Sequence, residues 1–475
     1  MPIVVRHRGR ALQLSRVVAT AGLAAAAALT ACGGGSGGGS SNATSSACGV
    51  EAQKQFVVAA ARDWYLFLEL LPPTIDSNAY TTASDLLDAL TAAARAQSKD
   101  RFFSYLTTIS SENQFFSVGA SVGFGISTVV RNSNQLFLTQ VFEGSAAAEA
   151  GFVRGDEILA IGTSAATLQD MAVLLATSTG FADAIGPAQA GITRTFRVRT
   201  QQGATVIRTV TKRDFSLNPV PTAVAIARTG TPPVGYVNLR TFVEPANTQL
   251  RSAFARFQAS NVRNIVIDLR YNGGGLVDTA EILLNLLSTG RTGQVMYQSK
   301  LNARHTGDER VVSFSAEQTA IAPLRIAFLA TGGTASASEL VINSLAPYAQ
   351  VAIIGDRTFG KPVGQFAFDL GSSCDTRLRL VTFKSLNSAG DGDYFGGLPD
   401  AAWSGGFCAA ADDLGHPQGD TAETMTATAL FWITSNACPA AAGAQLSAAA
   451  GANESSYLRL RGPIDAYRAY QAGAL

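Results

Sequence analysis

Ser336 and Lys361 are the residues of this chain whose types and local settings could do chemistry together. A serine hydroxyl attacks a carbonyl only when a base takes its proton, and histidine is the usual base. The chain has 3 histidines, His7, His305 and His416, none in a recognisable motif, and no G-x-S-x-G surrounds Ser336. A lysine serves instead if burial disfavours its ammonium and draws its pKa from about 10.4 toward 7 or 8. Lys361 sits in Thr358-Phe359-Gly360-Lys361-Pro362-Val363, a mostly apolar run able to desolvate it.

The elements that must position these groups are legible. Asn264 to Leu269 (NIVIDL) reads as a continuous apolar strand, turned by Gly273-Gly274-Gly275. Leu276 to Leu287 is a helix pattern, Leu324 to Leu329 a strand, Ala337 to Leu345 a helix and Val351 to Ile354 a strand. That rhythm argues for α/β with parallel pairing. Ser336 falls at a strand-to-helix turn. Backbone N–H groups at a helix N-terminus are unpaired, which favours a developing oxyanion.

Residues 113 to 213 look β-rich, with Gly119, Gly123 and Gly125 as punctuation. The stretch from Glu143 to Leu159 (EGSAAAEAGFVRGDEIL) resembles the PDZ domain of bacterial proteases, with Ala146 where that family usually has Pro. The resemblance implies that Phe124-Gly125-Ile126 is a loop offering backbone N–H groups to a peptide carboxylate, beside a strand edge that pairs with the peptide.

Ser336-Ala337-Ser338-Glu339, Lys361 at 25 residues beyond Ser336, and Gln365 resemble the Ser–Lys carboxyl-terminal processing proteases, peptidase family S41. Asp268-Leu269-Arg270-Tyr271-Asn272-Gly273-Gly274-Gly275 resembles that family's DLR-x-N-x-GG motif, with Gly273 where Pro is frequent. The resemblance spans about residues 113 to 430. It implies a crotonase/ClpP-like core at 214 to 440, with Ser336 as nucleophile, Lys361 as general base and Gln365 holding the lysine. The spacing to lysine selects Ser336 over Ser338. The Ala337 N–H and a glycine N–H in the 273–275 run, with Gly274 preferred, correspond to the oxyanion hole. No cofactor is implied. The implied partners are polypeptides with apolar C-terminal tails, and an adaptor or further copies of the chain.

Residues 1 to 32 read as an address. Arg6, Arg8, Arg10 and Arg16 precede the uncharged run Val17 to Thr30, and Leu29-Thr30-Ala31-Cys32 resembles the bacterial lipobox. Lipidation at Cys32 anchors the chain to a membrane, and residues 33 to 48 form a Gly/Ser tether. By resemblance to lipoprotein sorting in Gram-negative bacteria, Gly33 after the cysteine implies the outer membrane facing the periplasm. Residues 49 to 112 read as a helical adaptor, with a second helix beginning near Ser84. Residues 441 to 475 are an Ala-rich tail with a short helix over Tyr457 to Tyr470.

The chain has 475 residues, enough for about three domains, and its net charge of +1 argues against a nucleic-acid partner. Of 5 cysteines, removal of Cys32 leaves Cys48, Cys374, Cys408 and Cys438, which allow three pairings. At least one disulfide is expected to tie the segment around Cys374 and Cys408. No metal spacing occurs. Gly355 to Pro362 nearly spells a P-loop, but Pro362 replaces the Mg²⁺-ligating hydroxyl. Asp391-Gly392-Asp393 reads as a turn and Asp412-Asp413 as a solvated loop. The Gly-rich segment from Ser372 to Asp420 reads as a lid or gating insertion. The competing functions are a non-catalytic PDZ scaffold and a lipoprotein ligand-binding module.

Overall fold

The computed structural model describes residues 4–5, 47–132, 134–177 and 179–440. The expectations about Cys32, most of the tether and the helix at Tyr457 to Tyr470 lie outside these residues. Among the described residues no helix is long and apolar enough to cross a membrane.

The core is a mostly parallel sheet. Val234–Asn238, Asn264–Asp268, Arg325–Ala330, Gln350–Gly355 and Gly406–Ala409 run parallel in that order, and Thr222–Ile226 closes one edge antiparallel. NIVIDL is a continuous apolar run because the sheet is covered on both faces. Ile265 and Ile267 pack among the helices Glu244–Ala259, Val277–Leu286 and Ala337–Leu345. Val266 points the other way, against Met425, Ala429 and Ile433 of the helix Thr424–Ser435. Burial of such side chains contributes about 1.5–3 kcal/mol each.

A second, antiparallel sheet joins Val363–Asp369, Arg377–Leu386, Val295–Lys300 and Arg310–Ser313. The N-terminal segment packs on it. Val50–Trp64 and Ala83–Leu90 are helices, the latter capped by Thr82 rather than Ser84, with the Thr82 side chain accepting from the Asp85 N–H. The segment ends in a strand, Tyr105–Thr107, that pairs with Arg377–Leu386. It therefore joins the sheet rather than merely lying on it. Val57, Leu86 and Leu87 share one apolar cluster with Phe368, Leu378 and Leu380.

A third body lies between these parts in sequence. Ile126–Arg131, Gln135–Val141, Glu157–Gly162, Thr193–Arg199 and Thr205–Thr211 form an antiparallel sheet with Ile126–Arg131 at its edge. Ala120–Gly123 pairs with Arg213–Ser216, so the chain enters and leaves this body side by side.

Two disulfides form, Cys48–Cys374 and Cys408–Cys438. Cys374 and Cys408 are each bridged, but not to one another. The first bridge ties the start of the N-terminal segment to the turn between Val363–Asp369 and Arg377–Leu386.

Two expectations are corrected. The 372–420 segment is not a separate lid, since it supplies the strands Arg377–Leu386 and Gly406–Ala409 to the two sheets. Asp412 is not solvated. It is largely enclosed by Arg154, Arg270 and Tyr271, each bonded to its carboxylate.

Candidate functional site

Open α/β sheets place their sites beyond the carboxyl ends of the strands. Asn264–Asp268, Arg325–Ala330 and Gln350–Gly355 are neighbours in the sheet, and each feeds one loop of the site. The first leads to Gly273–Gly275, the second to Ser336 and the third to Lys361. Residues remote in sequence meet because these three strands are adjacent and parallel.

Ser336 precedes the helix Ala337–Leu345 with φ +56° and ψ −114°. A positive φ is uncommon outside glycine and costs about 1–3 kcal/mol. The surrounding bonds hold it there. The Ser336 N–H donates to Glu339 Oε2 at 2.9 Å, the Ala335 N–H to the Asn272 carbonyl at 3.0 Å, and Ser338 Oγ to that same carbonyl at 2.9 Å. Ser338, the competing nucleophile, is buried and spends its hydroxyl on this bond.

Glu339 is fully buried. Its Oε2 also accepts from the Lys361 N–H at 2.8 Å, and its Oε1 from the Gly360 N–H at 2.7 Å and Thr358 Oγ1 at 2.5 Å. One carboxylate thus joins the serine turn to the lysine loop. Burial pushes its pKa up against these hydrogen bonds. In the sequence the only signal for Glu339 is the S-x-x-E spacing of a capping box from Ser336, which by itself assigns no role in joining two loops.

Lys361 is 1% exposed. Burial lowers its pKa from 10.5 to about 7, so the neutral amine is accessible near neutral pH. Nζ donates to Gln365 Oε1 at 3.1 Å, and Gln365 Nε2 donates to the Phe103 carbonyl. The Phe103 ring centroid lies 5.0 Å from Nζ. Arg101 donates to the carbonyls of Phe359 and Gly360 at 2.7 and 2.6 Å. Phe103 and Arg101 belong to the N-terminal segment, and no local pattern around Lys361 pointed to them.

Ser336 and Gln365 line one cavity of about 560 Å³, whose walls include Gly275, Leu276, Phe366 and Phe383. It is wide enough for an extended peptide segment. The Ala337 N–H has no acceptor among the described residues. A Cβ on Gly274 would fall 2.8 Å from Ser336 Cβ and 2.9 Å from the Ala337 nitrogen, so Gly274 lies directly against the serine turn. Its N–H, however, donates to Asn272 Oδ1 at 2.9 Å, whereas the Gly275 N–H has no acceptor among the described residues. The preference for Gly274 as oxyanion donor therefore meets a competing acceptor in this conformation.

The loop carrying these glycines is bonded to the third body. Arg270 is fully buried, bonded to Asp268, Asp412 and Glu423. Tyr271, at φ +63°, bonds Asp412 through its hydroxyl and accepts from Arg154 Nη1 at 2.8 Å. Arg154 also reaches Asp412 at 2.7 Å and the Thr139 carbonyl at 2.7 Å. Burial opposes the charge on Asp412, but Arg154 and Arg270 outweigh it and hold its carboxyl below the usual range. Gly155 allows this close approach, since a Cβ there would stand 2.5 Å from the Leu414 carbonyl oxygen.

At the loop Phe124-Gly125-Ile126, both side chains are buried and Gly125 has φ +81°. The Phe124 carbonyl accepts from the Ala147 N–H at 3.0 Å and the Gly125 carbonyl from the Phe142 N–H at 2.9 Å. Any ligand contact here falls to the backbone. Among the described residues no group of His, Cys, Asp and Glu could hold a metal ion.

Residues 233–400 match the family model for Peptidase family S41, and residues 52–105 match the Peptidase S41 N-terminal domain. Over these stretches the chain is similar to peptidase family S41, and carboxyl-terminal processing proteases are among the proteins it resembles. It is 26% identical over 278 residues to the carboxyl-terminal-processing protease of Synechocystis sp., covering 57% of this chain and 60% of that protein. Against CtpB of Bacillus subtilis, a carboxy-terminal processing protease, identity is 23% over 289 residues, covering 58% of this chain and 53% of that one. The chain thus spans little more than half the length of these relatives. In fold it is similar to a protein from Bacteroides fragilis whose crystal structure is assigned to the S41 proteases. That likeness has a TM-score of 0.63 and 23% identity, and covers 80% of this chain and 97% of the other.

Proposed function

We propose that this protein is a serine endopeptidase that works by a Ser336–Lys361 dyad on a crotonase/ClpP-like core. It cleaves exported polypeptides whose apolar C-terminal tails are gripped by a PDZ domain at residues 113–213. A lipid on Cys32 holds it in a bacterial cell envelope, at the outer membrane facing the periplasm.

The observation that carries the reading is a dry lysine with a pKa near 7, tied through one carboxylate to the backbone of a strained serine at a helix N-terminus. Neutral Lys361 takes the Ser336 proton as Oγ bonds to a peptide carbonyl carbon. The carbonyl π pair moves onto oxygen, which rests on the Ala337 N–H and a glycine N–H. Each such donor contributes about 3 kcal/mol of barrier reduction. The Lys361 ammonium then protonates the leaving amine as the C–N bond breaks. Water, deprotonated by the same lysine, releases the acyl group and restores the serine. Gln365 keeps Nζ aimed by accepting one of its hydrogens.

The edge strand Ile126–Arg131 supports the PDZ reading, since a peptide can add to it as a further strand. The engaged Gly274 N–H favours a resting state in which the oxyanion pair is incomplete until the loop turns.

The test is cleavage of an unfolded protein with an apolar C-terminus by a soluble form beginning at Ala47, which keeps Cys48. Wild type should cleave, and Ser336→Ala and Lys361→Ala should not. Full activity of Lys361→Ala would overturn the dyad. Tail binding without cleavage by the wild type would favour a scaffold.

A further inference from the structure

Asp100 is fully buried, and no step above uses it. Its Oδ1 accepts from the Phe103 N–H at 2.7 Å and the Ser104 N–H at 3.1 Å. Its Oδ2 accepts from Ser104 Oγ at 2.7 Å and Tyr65 Oη at 3.0 Å. These bonds close a tight turn in which Phe102 has φ +62°. Ser104 Oγ in turn accepts from the Val381 N–H at 3.1 Å, which pins the turn to the strand Arg377–Leu386.

The turn presents two parts of Phe103 to the site. Its carbonyl accepts from Gln365 Nε2, and its ring lies 5.0 Å from Lys361 Nζ. A continuous chain of contacts therefore runs from the Asp100 carboxylate through Phe103 and Gln365 to the lysine nitrogen. Phe103 and Lys361 are both buried, and Gln365 beside them lines the cavity. Near a buried amine a carboxylate acts strongly.

We propose that Asp100 is a positioning residue for the general base: it fixes the 100–104 turn that holds Gln365 and Lys361, and its charge biases the lysine. The proposal rests on the Ser336–Lys361 reading. It makes the N-terminal segment part of the catalytic apparatus rather than an adaptor.

The charged groups around Lys361 come from every side. Burial lowers its pKa most, Asp100 and Glu339 raise it, and Arg379 lowers it. Arg101 stands beside them on the carbonyls of Phe359 and Gly360. On the other side of Asp100 are Tyr65 and, through it, the charge of Arg95. Removing the Asp100 charge takes away a stabiliser of the ammonium, so the neutral base persists to lower pH. Removing the Tyr65 hydroxyl leaves that charge with one donor fewer, so its hold on the ammonium grows.

The experiment measures kcat/KM against pH for full-length protein carrying Asp100→Asn or Tyr65→Phe, beside wild type and Lys361→Ala, with near-UV circular dichroism on each. Asp100→Asn keeps the shape of the turn. Its acid limb should move down by about one pH unit, with a lower plateau. The Tyr65→Phe limb should move up. If Asp100→Asn does not fold, the direction for Tyr65→Phe decides. Limbs that superimpose on wild type in folded variants overturn the proposal. Activity retained in Lys361→Ala would instead overturn the dyad, so the two failures are distinguishable.

Discussion

The backbone N–H groups of Ser336 and Lys361 donate to the same oxygen, Glu339 Oε2, at 2.9 and 2.8 Å. The proposed nucleophile and base are thus registered through main chain. Two loops from neighbouring parallel strands are joined at a single buried atom.

Glu339→Gln should break this registration. An amide keeps the shape but turns an NH₂ toward N–H donors, leaving buried groups unmatched. We expect a loss of about 2–4 kcal/mol in stability. Cleavage should fall by roughly 100-fold, as misplacement of reacting groups commonly costs. Thermal unfolding and kcat on an unfolded substrate check both; an unchanged Tm would refute the role.

As the proposed base, Lys361 should make activity and stability depend on pH in a defined direction. Its folded-state pKa is lowered to about 7 from 10.5. Activity that needs the neutral amine should fall as pH drops through about 7. Between about 7 and 10.5 the unfolded chain binds more protons than the folded one, so stability rises with pH across that window and is flat below it. Lys361→Met should therefore abolish cleavage yet stabilise the fold, by about 3 kcal/mol at pH 8. Urea unfolding at pH 8 and at pH 10.5 measures the gain and its loss.

Gly274→Ala should inactivate the enzyme without unfolding it. The added methyl would meet Ser336 Cβ at 2.8 Å and the Ala337 nitrogen at 2.9 Å, on a backbone with φ +106°. The serine turn must then shift. An electrophilic serine probe should label the variant at least 10-fold more slowly than wild type, while circular dichroism stays unchanged.

Arg154→Met tests whether the third body reaches the glycine loop. It removes the cation that bonds Asp412 and Tyr271, leaving a buried carboxylate with less compensation. A loss of about 3 kcal/mol is expected. Cleavage of a tailed substrate should drop more than cleavage of a short peptide, measured side by side; equal losses would confine Arg154 to a structural role.

Local chemistry in the sequence was sufficient for much of this protein. The apolar run NIVIDL had to be a strand covered on both faces, because alternation is absent when both faces are buried. Ala337–Leu345 was legible to its ends, since the helix pattern begins directly after Ser336. Ser336 and Lys361 could be singled out by residue type and local setting, and Gln365 by family resemblance. What surrounds Lys361 was not local. Phe103 and Arg101 come to its side, with Asp100 behind Phe103, only because Tyr105–Thr107 pairs with Arg377–Leu386 and carries the preceding turn into the site. Asp412 read as a solvated loop because two adjacent aspartates, seen alone, belong in water. Only the folded chain brings Arg154 and Arg270 to its carboxylate, and the burial of a charge is decided by partners distant in sequence.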